Sequence, residues 1–264
     1  MTPIVLEASD LAAASLVLLA DAGLSVAFGL GLHRTVLWSA VRMSVQLVLV
    51  GYGLRLVFAA GSPGVILAVV AVMMAVAVRE TAVRPRGRLA RGVGNIAVSA
   101  VSIGVATGLT VLLALTTALR PAPWWDPRIA IPIVGIVLGG ALNAASLALD
   151  TVLGGVALER PGIEAQLALG VPFIRAVRPL GIEGIRRGML PVVNQMAAAG
   201  LVTLPGAMSG QILAGLDPLM AVTYQILIML LLAGASGLSA GLATCLAVRR
   251  LKDERDRLRL DQLC

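Results

Sequence analysis

The sequence has few of the residues on which most catalytic and metal-binding sites depend. Its 264 residues include one histidine, one lysine and two cysteines, and charged residues make up 13% of the chain. His33, Cys245 and Cys264 are far apart and match no spaced metal-binding or disulfide pattern. The zinc-binding H-E-x-x-H pattern is also missing. We therefore expect no catalytic residues in this chain, and the sequence fixes no metal ligand.

The sequence also lacks the phosphate-binding loop G-x-x-x-x-G-K-[ST], in which the lysine contacts the nucleotide phosphates. The only lysine, Lys252, lies near the end of the chain. The chain therefore cannot bind and hydrolyse ATP by that chemistry. If the protein uses ATP, another polypeptide must supply the nucleotide site, and we expect no cofactor on this chain.

Apolar residues, in contrast, are abundant. They make up 58% of the chain, and the mean hydropathy is +0.95. Several apolar runs reach the length of about 20 residues that crosses about 30 Å of hydrocarbon. The sequence predicts one all-α, multi-pass membrane domain, 1–264, with seven spans. The predicted spans are 11–31, 36–58, 64–83, 94–118, 130–150, 190–214 and 219–247.

The net charge of +7 comes from basic residues in the connections between these runs. Such a distribution is typical of the cytoplasmic loops of membrane proteins, so we reject nucleic-acid binding. It predicts that the 79–91 loop, the 151–189 connection and the C-terminus are cytoplasmic and that the N-terminus is outside. Trp124 and Trp125 then lie in an outer connection, at the depth of the lipid headgroups. The first run has no basic segment before it, which indicates a retained span.

A membrane helix that is broken in its middle is predicted between Pro191 and Gln225. Non-helical backbone at membrane depth is tolerated where protein or a water-filled path covers it, so broken helices are typical of transport sites. A proline-kinked packing helix is the alternative interpretation. The interrupting residues are Leu204, Pro205 and Gly206, with Met208 close behind, and the amide side chains are Asn194, Gln195, Gln211 and Gln225.

Further candidates for a translocation path lie inside other spans. Arg42 and Gln46 are four residues apart on the second span, and Asn143 is in the fifth. A charged residue inside a span normally faces the protein interior or a water path, although Arg42 could instead snorkel to the interface. Asp21 and Asp150 are intramembrane carboxylates whose role the sequence leaves open. Asp150 could simply be solvated at a helix end.

The long connection 151–189 shows helical character with a sharp interruption at Gly170. A short helix, a glycine break and a second helix would present a cytoplasmic projection to a partner protein. The alternative is an interfacial helix that lies on anionic lipid. The spacing of Glu164, Ala165 and Gly170 resembles the EAA loop of ABC permeases, which forms the coupling helix that enters a cleft of the ATPase subunit.

Several segments taken together resemble the FetB/YbbM family of iron-export ABC permeases, which are similar to plant aluminium-tolerance permeases. They are VRMSVQLVLVGYGLRLVF (41–58), IPIVGIVLGGALNAASLAL (131–149), EAQLALG (164–170) and GLVTLPGAMSGQILAGLDPLMAVTYQI (200–226). The chain departs from the family pattern at Gly140, where the family often has asparagine, and at Ala207, where it often has methionine.

The resemblance implies a homodimeric permease in the inner membrane of a bacterium, which exports iron or another metal ion. Two copies of a separate cytosolic ABC ATPase would hold the ATP. Glu164, Ala165 and Gly170 would couple the ATPase to the path. The alternative function is a transporter or channel that works without an ATPase and is driven by an ion gradient. That function would require Asp21 or Asp150 to relay protons or sodium ions.

Overall fold

A computed structural model describes residues 8–85, 89, 93–123, 125–253 and 257–259. Within these residues the secondary structure is helical, without a β-strand, which confirms the all-α prediction. Trp124 and Cys264 lie outside the described residues. The described helices are α1 (Ala8–Ala27), α2 (His33–Ala60), α3 (Pro63–Val83), α4 (Val93–Leu113) with a π-helical continuation (Ala114–Leu119), α5 (Pro127–Leu158), α6 (Arg160–Ala168), α7 (Phe173–Ala198), α8 (Gly206–Leu213) and α9 (Pro218–Leu251).

Among the described residues, six helices are long and apolar enough to cross a membrane: α1 to α5 and α9. The predicted count of seven is not confirmed. The predicted sixth span, 190–214, is not one helix, because it contains the end of α7, a non-helical segment and the short α8. Arginine and glutamate side chains in the first half of α7 lower its average hydropathy. With 26 residues this helix is long enough to cross a membrane, but it is too polar to count among the six.

The chain forms two compact units, Met1–Gly61 and Ser62–Cys264. In the first unit, α1 packs against α2. The turn between them uses Gly29 and Gly31, whose φ angles of 63° and 69° are rarely adopted by other residues. Ser25 Oγ accepts a hydrogen bond from the Leu32 backbone N–H at 3.0 Å and closes the turn.

In the second unit, α5 and α9 pack along each other, and α3, α4 and α7 surround them. Small residues allow the helices to approach closely at one point, where Gly188 of α7 faces Ala144 of α5 and Ala240 of α9. A Cβ atom on Gly188 would lie 2.7 Å from the Ala144 carbonyl oxygen and 2.9 Å from the Ala240 Cβ. Close approach through small residues is the usual way in which membrane helices gain packing energy.

The stretch 151–189 is almost entirely helical. α5 continues to Leu158, and α7 already begins at Phe173. Between them lie the short α6 and a turn at Gly170, whose φ is +83°. The predicted order of short helix, glycine break and second helix is thus confirmed. We call residues 158–173 the elbow.

Candidate transport path

The break between α7 and α8 is a compact turn at residues 199–205. The backbone N–H groups of Val202 and Thr203 both donate to the Ala198 carbonyl at 3.0 Å, and the Gly200 N–H donates to the Thr203 carbonyl at 2.9 Å. Pro205 then caps α8. Because these backbone groups bond to one another, the turn avoids the penalty of several kcal/mol that unpaired groups carry in a membrane. The helix break expected near Leu204 is therefore present.

A cavity of about 450 Å³ lies beside this turn, and we call it the apolar cavity. Of the residues predicted for the path or the break, it brings together Leu204, Pro205, Met208 and Gln225. Its lining residues are Met196, Ala199, Gly200, Leu204, Pro205, Met208, Val222, Gln225, Ile226, Met229 and Leu230. Residues from α7, the turn, α8 and α9 thus meet around one space.

Gln225 is the polar side chain of the apolar cavity. It is 7% exposed, and its Oε1 atom has no hydrogen-bond partner among the described residues. A buried polar atom without a partner destabilises a fold by about 1–3 kcal/mol. Such a group is an exception in folded proteins, and a bound water, ion or ligand is one explanation for it.

A second cavity, of about 340 Å³, is polar and lies between α3, α5 and α7. It is lined by Arg84, Asn143, Ser146, Leu147, Asp150 and Pro191. Arg84 Nη1 donates to Asn143 Oδ1 at 3.0 Å, and Arg84 Nε lies 3.9 Å from Glu80 Oε2. The polar cavity therefore places a guanidinium group beside carboxylates and neutral oxygen donors, which suits a charged solute.

The end of α7 connects the two cavities. Pro191 lines the polar cavity and Met196 lines the apolar one. Asn194 lies between them on α7, is exposed and lines neither cavity. Gln211 is on α8, and its Oε1 is buried without a partner among the described residues.

Two of the predicted path residues, Arg42 and Gln46, belong to the first unit, where they lie one turn apart on α2. Asp21 is on α1 of the same unit. The structure therefore groups Asn143 with Asp150, and Gln225 with the residues of the break, while the roles of Arg42, Gln46 and Asp21 stay predictions.

The elbow carries the residues predicted to couple to an ATPase. Arg160 Nε donates to Glu164 Oε1 at 2.9 Å, and both side chains are about half exposed. Ala165 lies on the exposed side of α6. Ile163 is 2% exposed and anchors α6 in the core, whereas Leu169 is 83% exposed. The elbow thus has one anchored face and one apolar face that protein does not cover.

The family model described as an uncharacterised protein family, UPF0014, matches residues 8–251. The chain belongs to the UPF0014 family. Similar members include the UPF0014 membrane protein slr1647 of Synechocystis, 35% identical over 87% of this chain and 88% of its own length. The protein named as a probable iron export permease, FetB, of Escherichia coli is 30% identical over 89% of this chain and 88% of its own length. The UPF0014 membrane protein STAR2 of rice is 34% identical over 89% of this chain and 80% of its own length.

No solved structure matches the chain. The resemblance to FetB noted in the sequence is confirmed by the UPF0014 match, and the apolar helices together with this family make the chain a multi-pass membrane protein. Among the described residues of this UPF0014 protein, no three His, Cys, Asp or Glu side chains form a group that could hold a metal ion.

Sequence reasoning missed several residues that line the cavities of this UPF0014 protein. The sequence analysis counted Arg84 only among the charges of the 79–91 loop. In the structure its side chain donates a hydrogen bond to Asn143, which is 59 residues away in the chain. Ser146 could have been found, because it follows Asn143 by three residues and so lies on the same face of α5. Met229 could also have been found, because it is one helical turn from Gln225.

Proposed function

We propose that this chain is the membrane-spanning permease subunit of an ABC transporter, which exports iron or another metal ion and is powered by a separate cytosolic ATPase. The observation that carries the proposal is the elbow, where a short helix anchored by Ile163 is followed by a turn at Gly170, with Leu169 exposed between them. This shape fits a coupling helix that enters a cleft of a partner. The FetB relative, named as a probable iron export permease, supports the same function.

In this proposal the elbow, the 79–91 loop and the C-terminus face the cytoplasm of a bacterium, and the protein is a homodimer in the inner membrane. The excess of Lys and Arg in the 79–91 loop, in the wider stretch 151–189 and in the C-terminal segment supports the orientation. Since the chain lacks a phosphate-binding loop, ATP binds to the partner subunit. Closure of the ATPase dimer would move the elbow and so change which face of the path is open.

The two cavities are the proposed path. The polar cavity supplies Asn143, Ser146 and Asp150 as oxygen donors, which hard cations prefer. Gln225 supplies one more oxygen in the apolar cavity. Asn194 and Gln211 lie on the helices that flank the break, and Arg42 and Gln46 on α2 are kept as further candidate residues for transport.

A gradient-driven transporter or channel is the second candidate, and Asp150 is the observation that favours it. This carboxyl group lies in a polar cavity with Arg84, an arrangement that could relay a proton. In that case substitution of Asp150 by asparagine would abolish transport, and no ATPase would be required.

Native mass spectrometry of the tagged chain, purified in mild detergent from its host's membranes, distinguishes these functions. We expect two copies of the chain with two copies of an ABC ATPase. The substitution Leu169→Arg should remove the ATPase while leaving the dimer, because it places a charge on the exposed apolar face of the elbow. A complex that reproducibly lacks an ATPase would overturn the ABC proposal.

Substitution of Gln225 by leucine should separate stability from transport. We expect the protein to unfold at the same temperature or higher, because leucine removes a buried amide oxygen that has no partner among the described residues. Export of iron from preloaded cells should fall by about tenfold, the effect of losing roughly 1.4 kcal/mol of binding to the moving ion. Gln195→Leu, at an exposed position on α7, is the matched control. Normal export by the Gln225 variant would exclude this side chain from the path.

A further inference from the structure

A third cavity lies between the first half of α7 and the last half of α9, away from the proposed path. It is a groove of about 360 Å³. Its walls are mainly apolar, with Ile182, Ile185 and Val248 among them, and Gly241 forms part of its floor. A Cβ atom on Gly241 would meet no atom within 4 Å, so the groove is open at this point.

Basic residues are gathered at one end of the groove. Arg249 comes from the end of α9, Lys252 directly follows that helix, and Arg178 comes from the first half of α7. Gly241 and Arg249 are eight residues apart, so the apolar part extends about 12 Å along α9 from the basic end. Since α9 is long and apolar enough to span a membrane, Arg249 lies near the end of the span, at the depth of lipid headgroups.

Arg178 and Arg249 differ from the other arginines of the same region. Arg186 and Arg187 pair with Glu183 at 3.6 Å and 2.7 Å. In the described part of the chain, neither Arg178 nor Arg249 has a carboxylate within ion-pair distance. Their charge is therefore available to an anion at the end of the groove.

Thr244 also lines the groove, and its side chain is 6% exposed. Its hydroxyl oxygen would lie 3.5 Å from a Cβ atom on Gly184, a residue of α7 that does not line the groove. The hydroxyl is therefore directed towards α7, and the cations are the polar groups that remain for an occupant of the groove.

We propose that this groove binds one anionic phospholipid. The phosphate contacts Arg178 and Arg249, and an acyl chain follows the apolar wall towards Ile185. Basic pockets between membrane helices bind acidic lipid headgroups by the same electrostatic attraction. The length of the apolar part and the charge at its end fit this occupant better than a second protein helix, which would leave the cations unpaired.

The test is a lipid titration of the full-length chain in detergent, followed by native mass spectrometry. The probes are phosphatidylglycerol, phosphatidylcholine with the same acyl chains, and inorganic phosphate alone. We expect phosphatidylglycerol to bind at least tenfold more tightly than phosphatidylcholine, and inorganic phosphate not to compete. The double variant R178Q/R249Q should lose this preference, since two cations near a headgroup account for about a 30-fold difference.

Matched variants keep the test specific. R186Q/R187Q removes two arginines that are paired with Glu183 and lie outside the groove, so the lipid preference should remain. Gly241→Leu fills the groove and should weaken binding of both lipids, whereas Gly234→Leu, at another open position of α9, should not. Equal binding of the two lipids, competition by free phosphate, or a groove that is covered only by a second copy of the chain would each overturn the proposal.

Discussion

Substitution of Gly188 by valine is expected to unfold most of the protein in detergent. The added Cβ alone would lie 2.7 Å from the Ala144 carbonyl oxygen, which belongs to the backbone of α5 and cannot move aside like a flexible side chain. Overpacking of this kind destabilises a fold by about 3 kcal/mol. Thermal unfolding followed by size-exclusion chromatography should show loss of the folded peak at temperatures at which the wild type is intact.

Gly154 provides the control for this prediction. It lies on α5, and a Cβ atom there would meet nothing within 4 Å. The Gly154→Val variant should therefore unfold close to the wild-type temperature. If the Gly188 variant were equally stable, the close contact of α5, α7 and α9 at this point would be wrong.

Substitution of Gly170 by valine is expected to abolish ATP-driven transport while the chain stays in the membrane. The φ of +83° at this residue is accessible to glycine but strongly unfavourable for a β-branched residue, so the elbow must change shape. Under the proposed function, a displaced elbow no longer fits its ATPase. Export should fall at least tenfold, as measured on membranes with equal amounts of protein.

The same substitution at Gly162 separates backbone strain from added bulk. Gly162 is also in the elbow, but it lies inside α6, and a Cβ atom there has open space. We expect Gly162→Val to retain most of the transport activity. Equal losses in both variants would indicate that the elbow is sensitive to any side chain, and normal export by the Gly170 variant would exclude a coupling role for this turn.

The structure also adjusts the expectation for Glu164. Its carboxylate pairs with Arg160 at the protein surface, and exposed pairs contribute at most about 1 kcal/mol. Loss of this pair alone should leave α6 folded. An effect of Glu164 on transport would then arise from contact with the partner rather than from the stability of the elbow.

The features that could be predicted from the sequence are those that depend on residues close together in the chain. The break at Leu204-Pro205-Gly206 and the turn at Gly170 depend on residues whose backbone preferences act locally, so both were found. The apolar runs of α1 to α5 and α9 were found for the same reason, since each needs only its own composition to be recognised.

The remaining features depend on partners that are distant in the sequence. Arg84 meets Asn143 only because α3 packs beside α5, and no local pattern indicates this. A second helix after Gly170 was predicted, but its continuation to Ala198 as one helix was missed, because its arginines and Glu183 separate it from the apolar run in a hydropathy argument. Its glycines at 181, 184 and 188 form one face of small residues, and this spacing would have indicated a packed helix.

The direct attachment of the elbow to α5 has a mechanical consequence. Only Glu159 separates Leu158, the last residue of α5, from the first residue of α6. The part of α5 from Gly140 to Leu158 is about 27 Å long, so a tilt of about 10° around Gly140 would shift its end by about 5 Å. Val152, Leu153 and Val156 near this end of α5 are fully buried, so such a tilt would carry with it the helices that pack against α5. A small rotation in the core and a large displacement at the surface are then the same motion.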